Sequence, residues 1–246
     1  MNRYEQLFEK TTGVFVPFIM LGETTSLTVV RAAIRAGADA VELGVPFSDP
    51  VADEPIIQAA HLRGLENSTL ESILDEVRTI RAEFPDLPIG MLVYANVAFT
   101  RGIDKFYREL HEAGADTILI PDVPVRESAP FIAAADASGI CPIFIAPPNA
   151  DAATIRRVAA ATRGYMYAVS RTGAHGLDEV IANAGDMPVL VGGGISTPEQ
   201  VRAAIKAGAS GVIVGSALAK TVTAASDVDA AVYEFVSTMK QAAAAS

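Results

Sequence analysis

Residues 38–53, ADAVELGVPFSDPVAD, decide the fold because they join a short apolar strand to a proline-rich loop. The strand carries one acid, Glu42, and the loop carries two more, Asp49 and Asp53. A carboxylate inside an apolar strand loses hydration on burial, so a compensating interaction or a function must keep it there. Two interpretations are open. Either Glu42 is a catalytic acid/base and Asp53 orients a substrate opposite it, or Glu42 belongs to a buried structural ion pair.

The chain contains eight short apolar segments, and each is followed by a helical pattern. Strands are predicted at residues 14–20, 38–43, 89–94, 117–121, 142–146, 164–169, 188–192 and 211–215. A short amphipathic helix at residues 2–8 precedes the first strand. Continuous apolar strands are typical of a parallel sheet covered on both faces. Eight regular units without a linker predict a single α/β domain over residues 1–246, a (β/α)₈ TIM barrel with an extra N-terminal helix.

The composition of the chain indicates which partners and which cellular location to expect. The 246 residues carry a net charge of −10, which argues against nucleic acid or an anionic membrane as the main partner. The first ten residues are polar and do not resemble a signal peptide, and the apolar run 14–21 is too short for a membrane span. One cysteine, Cys141, cannot form an intrachain disulfide. We therefore expect a cytoplasmic protein.

Glycine-rich turns follow the last two predicted strands. The motif GGGIS occupies residues 192–196, and Gly215-Ser216 follows the eighth strand just before a helix. Many barrels bind phosphate with these two loops and the start of a short helix. Either the glycines only make tight turns, or their backbone N–H groups and the Ser216 hydroxyl bind phosphate. The occurrence of both loops favours phosphate binding, and Gly176 is a further candidate donor.

Several catalytic classes lack the residues they need. None of the five lysines falls at the end of a predicted strand, which argues against a Schiff-base aldolase. The three histidines are scattered without metal-ligand spacing, so we expect no metal and no other cofactor, with His61 and His111 facing solvent. Acid–base chemistry by Glu42 and Asp53 on a phosphorylated substrate remains. The apolar lining of that pocket is expected to come from Phe18, Leu92, Leu119 and Ile145.

The loop motif is specific enough to indicate a family. Residues 42–53, ELGVPFSDPVAD, closely resemble the signature of the tryptophan synthase alpha subunit. Shorter matches lie at residues 3–4, 15–18, 92–96, 122–124, 147–150, 163–167 and 170–171, so the resemblance covers essentially the whole chain. It implies a lyase that cleaves indole-3-glycerol phosphate to indole and glyceraldehyde 3-phosphate, in tryptophan biosynthesis or another indole-producing pathway. It also implies a tryptophan synthase beta subunit as a partner.

The resemblance assigns roles to individual residues. Glu42 matches the general acid/base that serves C3 of indole and the glycerol hydroxyl. Asp53 matches the carboxylate that holds the indole N–H, and Tyr167 matches a supporting active-site tyrosine. The indole pocket is matched by Phe18, Leu92, Tyr94, Leu119 and Ile145, and the phosphate site by Gly176, Gly193, Gly194, Gly215 and Ser216. Protonation at C3 makes the indole ring the electron sink, so the reaction needs neither a lysine nor a metal.

The chain departs from the family pattern in two places. Glu54 follows Asp53 where the family has glycine, which adds an acid and restricts the backbone. After residues 170–171 the family carries a long loop that closes over the substrate, whereas residues 172–176 here run almost directly into the next helix. His175 stands in place of a family threonine, and it is either a replacement acid/base or an exposed loop residue.

Three hypotheses follow from the sequence. The first is a lyase of the alpha-subunit type, acting alone or with a beta subunit. The second is a diverged barrel lyase or isomerase with a related phosphorylated substrate, for which Glu54, His175 and the shortened loop are the evidence. The third is a non-catalytic regulatory partner. Retention of both Glu42 and Asp53 counts against the third hypothesis, and the first is favoured.

Overall fold

The computed structural model describes residues 2–147, 149–169 and 176–245. Within them, nine parallel strands form one sheet. The strands are β1 (Val14–Met20), β2 (Val41–Gly44), β3 (Ile89–Leu92), β4 (Thr117–Leu119), β5 (Cys141–Ile143), β6 (Ile145–Ala146), β7 (Met166–Val169), β8 (Val189–Gly192) and β9 (Gly211–Val214).

The sheet closes into a barrel. Its order is β5-β4-β3-β2-β1-β9-β8-β7-β6, and β1 pairs with both β2 and β9. The two end strands, β5 and β6, are consecutive pieces of one apolar run that is interrupted only at Phe144. Eight predicted strands therefore appear as nine, and the predicted (β/α)₈ TIM barrel is confirmed.

Helices surround the barrel and cover its ends. They are α1 (Arg3–Lys10), α2 (Ser26–Arg35), α3 (Pro55–Asn67), α4 (Leu70–Glu83), α5 (Ala95–Arg101), α6 (Ile103–Ala113), α7 (Ala129–Ser138), α8 (Ala152–Ala161), α9 (Leu177–Asn183), α10 (Pro198–Lys206), α11 (Ser216–Ala224) and α12 (Val228–Ala244). Helix α1 is the predicted extra N-terminal helix, capped by Asn2 and Glu5. The sequence pattern did not delimit α5 or α11. No helix among the described residues is long and apolar enough to cross a membrane.

The apolar residues form two separate clusters, one on each face of the sheet. Along β1, Val14, Val16 and Phe18 belong to the cluster inside the barrel. Phe15 and Ile19 belong to the larger cluster between the sheet and the helices. Successive side chains of a strand point to opposite faces, so a continuous apolar run fills both clusters.

Strand register brings the first site residues together. Phe18 on β1 lies opposite Glu42 on β2, and Glu42 lies opposite Gly90 on β3. A Cβ atom at Gly44 would lie only 2.6 Å from the Phe18 ring, so glycine there makes room for the ring. The carboxyl ends of parallel strands meet at one end of the barrel, where the loops between strands and helices build the site.

Candidate active site

A cavity of about 600 Å³ opens at the carboxyl ends of the strands. Most of the predicted site residues line it: Phe18, Glu42, Asp53, Leu92, Leu119, Ile145, Tyr167, Gly193, Gly194, Gly215 and Ser216. Ile57 on α3 and Ile213 on β9 add apolar wall that the sequence did not single out. The cavity therefore combines an apolar wall, a pair of acids and a glycine-rich end.

Glu42 is the buried acid of the cavity. It lies on β2 with 1% of its surface exposed, and Oε1 accepts a 3.2 Å hydrogen bond from the Tyr165 hydroxyl. Burial raises the pKa of the Glu42 carboxyl to about 8; the Tyr165 hydrogen bond opposes this rise, and the negative charge of Asp53 adds to it. Glu42 is therefore protonated near neutral pH and can act as an acid.

Asp53 is the second acid, and it has more hydrogen-bond donors than Glu42. Its Oδ2 accepts a 2.6 Å bond from the Tyr94 hydroxyl and lies 3.1 Å from Nε2 of His61. The Tyr94 hydroxyl in turn accepts the backbone N–H of Ala52 at 3.0 Å. Donors of this kind stabilise the ionised form of a carboxylate. Two side chains therefore hold the Asp53 carboxyl group in place opposite Glu42.

His61 does not face solvent, so that part of the sequence prediction was wrong. The residue is fully buried on α3, where its ring contacts Asp53, Tyr94 and the backbone N–H of Phe47. Two hydrogen bonds offset the cost of burying the polar ring. His111 on α6 is exposed, as predicted.

Tyr167 projects from β7 into the cavity, and the neighbouring strand makes room for it. A Cβ atom at Gly192 on β8 would collide with the Tyr167 hydroxyl, so this packing requires glycine. Burial raises the pKa of the Tyr167 hydroxyl well above its usual range, and the charges of Glu42 and Asp53 raise it further. The hydroxyl therefore stays neutral and can donate a hydrogen bond.

Two predicted site residues are not part of the cavity wall. Tyr94 is fully buried, stacks on Phe47 at 5.0 Å between ring centroids, and contacts Asp53 through its hydroxyl. The direct contact of Tyr94 with the substrate thus stays a prediction. Gly176 precedes α9 with a φ of 84° and is also absent from the described lining, so its phosphate contact likewise stays a prediction.

The glycine-rich end of the cavity joins β8, β9 and the start of α11. Gly193 and Gly194 have φ angles of 78° and 79°, a conformation that side chains rarely adopt. Gly215 is the N-cap of α11 and Ser216 is its first residue. Backbone N–H groups at a helix start, beside a glycine turn, favour an anionic ligand.

Lys220 is a functional candidate that the sequence analysis missed. It lies on α11, one turn after Ser216, and it is the only cation among the described residues that line the cavity. Residues four apart share one face of a helix, so the Ser216–Lys220 spacing could have placed it beside the glycine turns.

Glu54, which stands where the family has glycine, has a relaxed backbone. It is the N-cap of α3, with φ −71° and ψ 155°, an extended conformation open to any residue. Its side chain is exposed at the edge of the cavity. The shortened loop after residues 170–171 and the role of His175 lie outside the described residues.

Acid–base chemistry on a small substrate with an apolar part and a phosphate is the class of reaction that this barrel can support. The family model for the tryptophan synthase alpha chain matches residues 4–245. The chain therefore belongs to the tryptophan synthase alpha chain family.

Individual relatives agree with this assignment along the whole chain. The tryptophan synthase alpha chain of Corynebacterium aurimucosum is 54% identical over 270 residues, covering 98% of each chain. That alignment is longer than the 246 residues here, so the relative has stretches that this chain lacks. The crystal structure of tryptophan synthase subunit alpha from Legionella pneumophila superposes with a TM-score of 0.91 at 30% identity, covering 99% of this chain and 98% of that one.

A third relative was solved as part of an assembly. A chain from the tryptophan synthase α₂β₂ complex of Pyrococcus furiosus, in a study of mutual activation, has a TM-score of 0.87 at 31% identity. The match covers 93% of this chain and 97% of that chain. The alpha-type barrel therefore occurs in complex with a second subunit.

Proposed function

We propose that Glu42, Asp53 and Tyr167 carry out the reaction of the tryptophan synthase alpha family, the cleavage of indole-3-glycerol phosphate in tryptophan biosynthesis. The contrast between the two carboxylates is the observation that supports these roles. Glu42 is buried with its pKa raised to about 8, while Asp53 receives hydrogen bonds and is partly exposed. Two carboxyl groups in such different environments are typical of acid–base sites.

Glu42 serves as the acid and then as the base. Its proton goes to C3 of the indole ring, which leaves the ring positively charged. The bond from C3 to the glycerol carbon then breaks, and its electron pair returns to the ring. The hydroxyl on that carbon gives its proton to the Glu42 carboxylate as the C=O bond forms. The products are indole and glyceraldehyde 3-phosphate, and Glu42 ends protonated as it began.

Asp53 stabilises the positive ring. A carboxylate that accepts the indole N–H is favoured when the ring becomes cationic, so the interaction strengthens toward the transition state. The neutral Tyr167 hydroxyl supports this end of the cavity. Phe18, Leu92, Leu119 and Ile145 supply the apolar wall for the indole ring.

The phosphate of the substrate binds at the glycine-rich end. Backbone N–H groups of Gly193, Gly194 and Gly215 and the Ser216 hydroxyl act as donors. Lys220 supplies positive charge in a cavity that otherwise carries the acids Glu42, Asp53 and Glu54. This charge matters because the whole chain has a net charge of −10, which disfavours an anionic substrate.

The proposal also includes the localisation, the domain organisation and the partner of the enzyme. The chain acts in the cytoplasm as one barrel domain over residues 1–246, and it associates with a tryptophan synthase beta subunit. The full-length match to alpha chains does not favour the alternatives of a diverged lyase or isomerase, or a non-catalytic regulator.

The test is indole release from indole-3-glycerol phosphate by purified protein, with and without a beta subunit, for the natural chain and for Glu42→Gln. We expect the natural chain to release indole and Glu42→Gln to lose at least about 10³-fold in kcat. Glu54→Gln, an exposed acid in the same cavity, is the matched control. A Glu42→Gln enzyme within tenfold of the natural one would rule out Glu42 as the acid.

A further inference from the structure

His61 is a buried histidine that the reaction scheme above does not use. Its ring is fully buried on α3, beneath the loop that carries Asp53. Nε2 lies 3.1 Å from Asp53 Oδ2, and Nδ1 lies 3.0 Å from the backbone nitrogen of Phe47. The ring also packs edge-on against Tyr94, with centroids 5.8 Å apart and planes at 70°.

The hydrogen bond from Phe47 decides where the His61 proton lies. A backbone N–H can only donate, so Nδ1 must accept and carries no proton. The proton of the neutral ring therefore lies on Nε2, which donates to Asp53. The backbone of the loop thus sets the tautomer that the carboxylate requires.

The Asp53 carboxylate consequently receives two donors on one oxygen. Oδ2 accepts both the Tyr94 hydroxyl at 2.6 Å and the His61 Nε2–H at 3.1 Å. Among the described residues, Oδ1 has no hydrogen-bond partner, and Asp53 lines the cavity. Two donors from different elements restrict rotation of the carboxylate and leave Oδ1 available to a ligand.

We infer that His61 is a positioning residue, which acts with Tyr94 to fix Asp53 so that Oδ1 accepts the indole N–H of the substrate. This inference rests on the proposed role of Asp53 and extends it to a residue that never touches the substrate. It predicts that loss of His61 impairs recognition of the N–H group more than it impairs folding.

Two substitutions separate the two hydrogen bonds of His61, the one from the Phe47 N–H and the one to Asp53. In His61→Asn, the side-chain oxygen can still accept the Phe47 N–H, but the side chain is too short to reach Asp53. In His61→Gln, the longer side chain can bring an N–H donor to Asp53. Asp53→Asn reports on the carboxylate itself. All three variants are compared with the natural chain by thermal unfolding, so that a general loss of structure is measured separately.

The probes are a non-cleavable 3-alkylindole phosphate and the matching 3-alkylbenzofuran phosphate, which has a ring oxygen instead of the N–H. The natural chain should prefer the indole probe by at least about tenfold, because an unpaired buried carboxylate penalises the other probe. His61→Asn should reduce this preference to about threefold or less, and His61→Gln should retain most of it.

The outcomes distinguish this inference from the proposed function. A folded His61→Asn that keeps the full preference, while Asp53→Asn loses it, overturns the role of His61 and leaves that of Asp53 intact. Retention of the preference by Asp53→Asn overturns the role of Asp53 itself. If His61→Asn does not fold, ¹⁵N NMR of the histidines in the natural chain decides. A proton on Nδ1 of His61, or an Nε2 signal unmoved by the indole probe, overturns the inference.

Discussion

Glu42 on β2 and Asp53 in the loop before α3 line one cavity. Their carboxyl groups differ in solvent exposure and in the number of hydrogen-bond donors around them. Around Glu42, 1% of the residue is exposed and the Tyr165 hydroxyl is its hydrogen-bond donor at 3.2 Å. Around Asp53, 15% of the side chain is exposed and two donors lie within 3.1 Å. Burial raises the pKa of the Glu42 carboxyl, whereas Asp53 is more exposed and accepts two hydrogen bonds. Two carboxyl groups in one cavity thus have different exposure and different hydrogen-bond partners.

The largest expected effect of the difference between the two acids is on the pH dependence of the free energy of unfolding. In the unfolded chain Glu42 loses its proton near its usual pKa of 4.5, whereas in the folded chain it holds the proton up to about pH 8. As pH rises between these values, the unfolded state binds fewer protons than the folded state, so the free energy of unfolding falls. Glu42→Gln removes this loss and should be stabilised relative to the natural chain by about 2–3 kcal/mol more at pH 9 than at pH 6.

Urea unfolding of both proteins at the two pH values measures this difference. Glu54→Gln is the control, because its exposed side chain should show no comparable change. Parallel pH profiles for Glu42→Gln and the natural chain would mean that Glu42 is not held in its protonated form.

The second test removes the charge from the other acid. Asp53→Asn keeps the shape of the side chain but cannot stabilise a positive ring, so kcat should fall by about 10²-fold. The effect on KM should be smaller, because the interaction strengthens only as charge develops. Steady-state kinetics with indole-3-glycerol phosphate measures both. A kcat within threefold of the natural value would show that Asp53 does not stabilise the positive charge that develops on the indole ring.

The third test moves to the phosphate end. Lys220→Met should raise KM by about tenfold with little change in kcat, because a cation near the phosphate aids binding before and during reaction alike. The rise of KM with added salt should also be weaker in this variant. Lys206→Met, on the exposed face of α10, is the matched control. Equal salt dependence in all three proteins would contradict the role of Lys220.

The smallest effect is expected at Glu54. The side chain is exposed and its backbone is relaxed, so Glu54→Gln should change kcat/KM by less than about twofold and stability by less than about 0.5 kcal/mol. Kinetics and thermal unfolding measure the two quantities. A large loss of activity would mean that Glu54 takes part in the reaction, so that Glu42 and Asp53 would not be its only acids.

The barrel was predictable because its strands are apolar on both faces. A continuous apolar run such as Val14–Met20 is typical of a parallel strand covered on both faces, and this pattern is visible in one sequence. The helix Ser216–Ala224 was harder to delimit, since its alanines and threonines give only a weak apolar stripe. Without the bounds of that helix, Lys220 could not be placed one turn after Ser216.

The acids of the site were predictable, and their supports were not. A glutamate in an apolar strand stands out because burial is costly for a charged group. His61 lies in a mixed helical segment, where a buried and an exposed histidine look alike in sequence. Its partners, Asp53 and the Phe47 backbone, meet it only after the loop folds onto α3. Tyr94 illustrates the same limit, since its hydroxyl contacts Asp53, which lies 41 positions earlier in the chain.

Helix α1 lies at the amino ends of the strands, away from the mouth of the cavity. Tyr4 on this helix is fully buried, with its ring 5.2 Å from that of Tyr165, and Tyr165 donates to Glu42. The start of the chain therefore helps to exclude water from Glu42 at this end of the barrel. Trimming the first ten residues to shorten the protein would then change the surroundings of Glu42, although those residues lie outside the cavity lining. Protein engineers who want a more acidic or less acidic Glu42 can work on that remote helix and leave the substrate pocket unaltered.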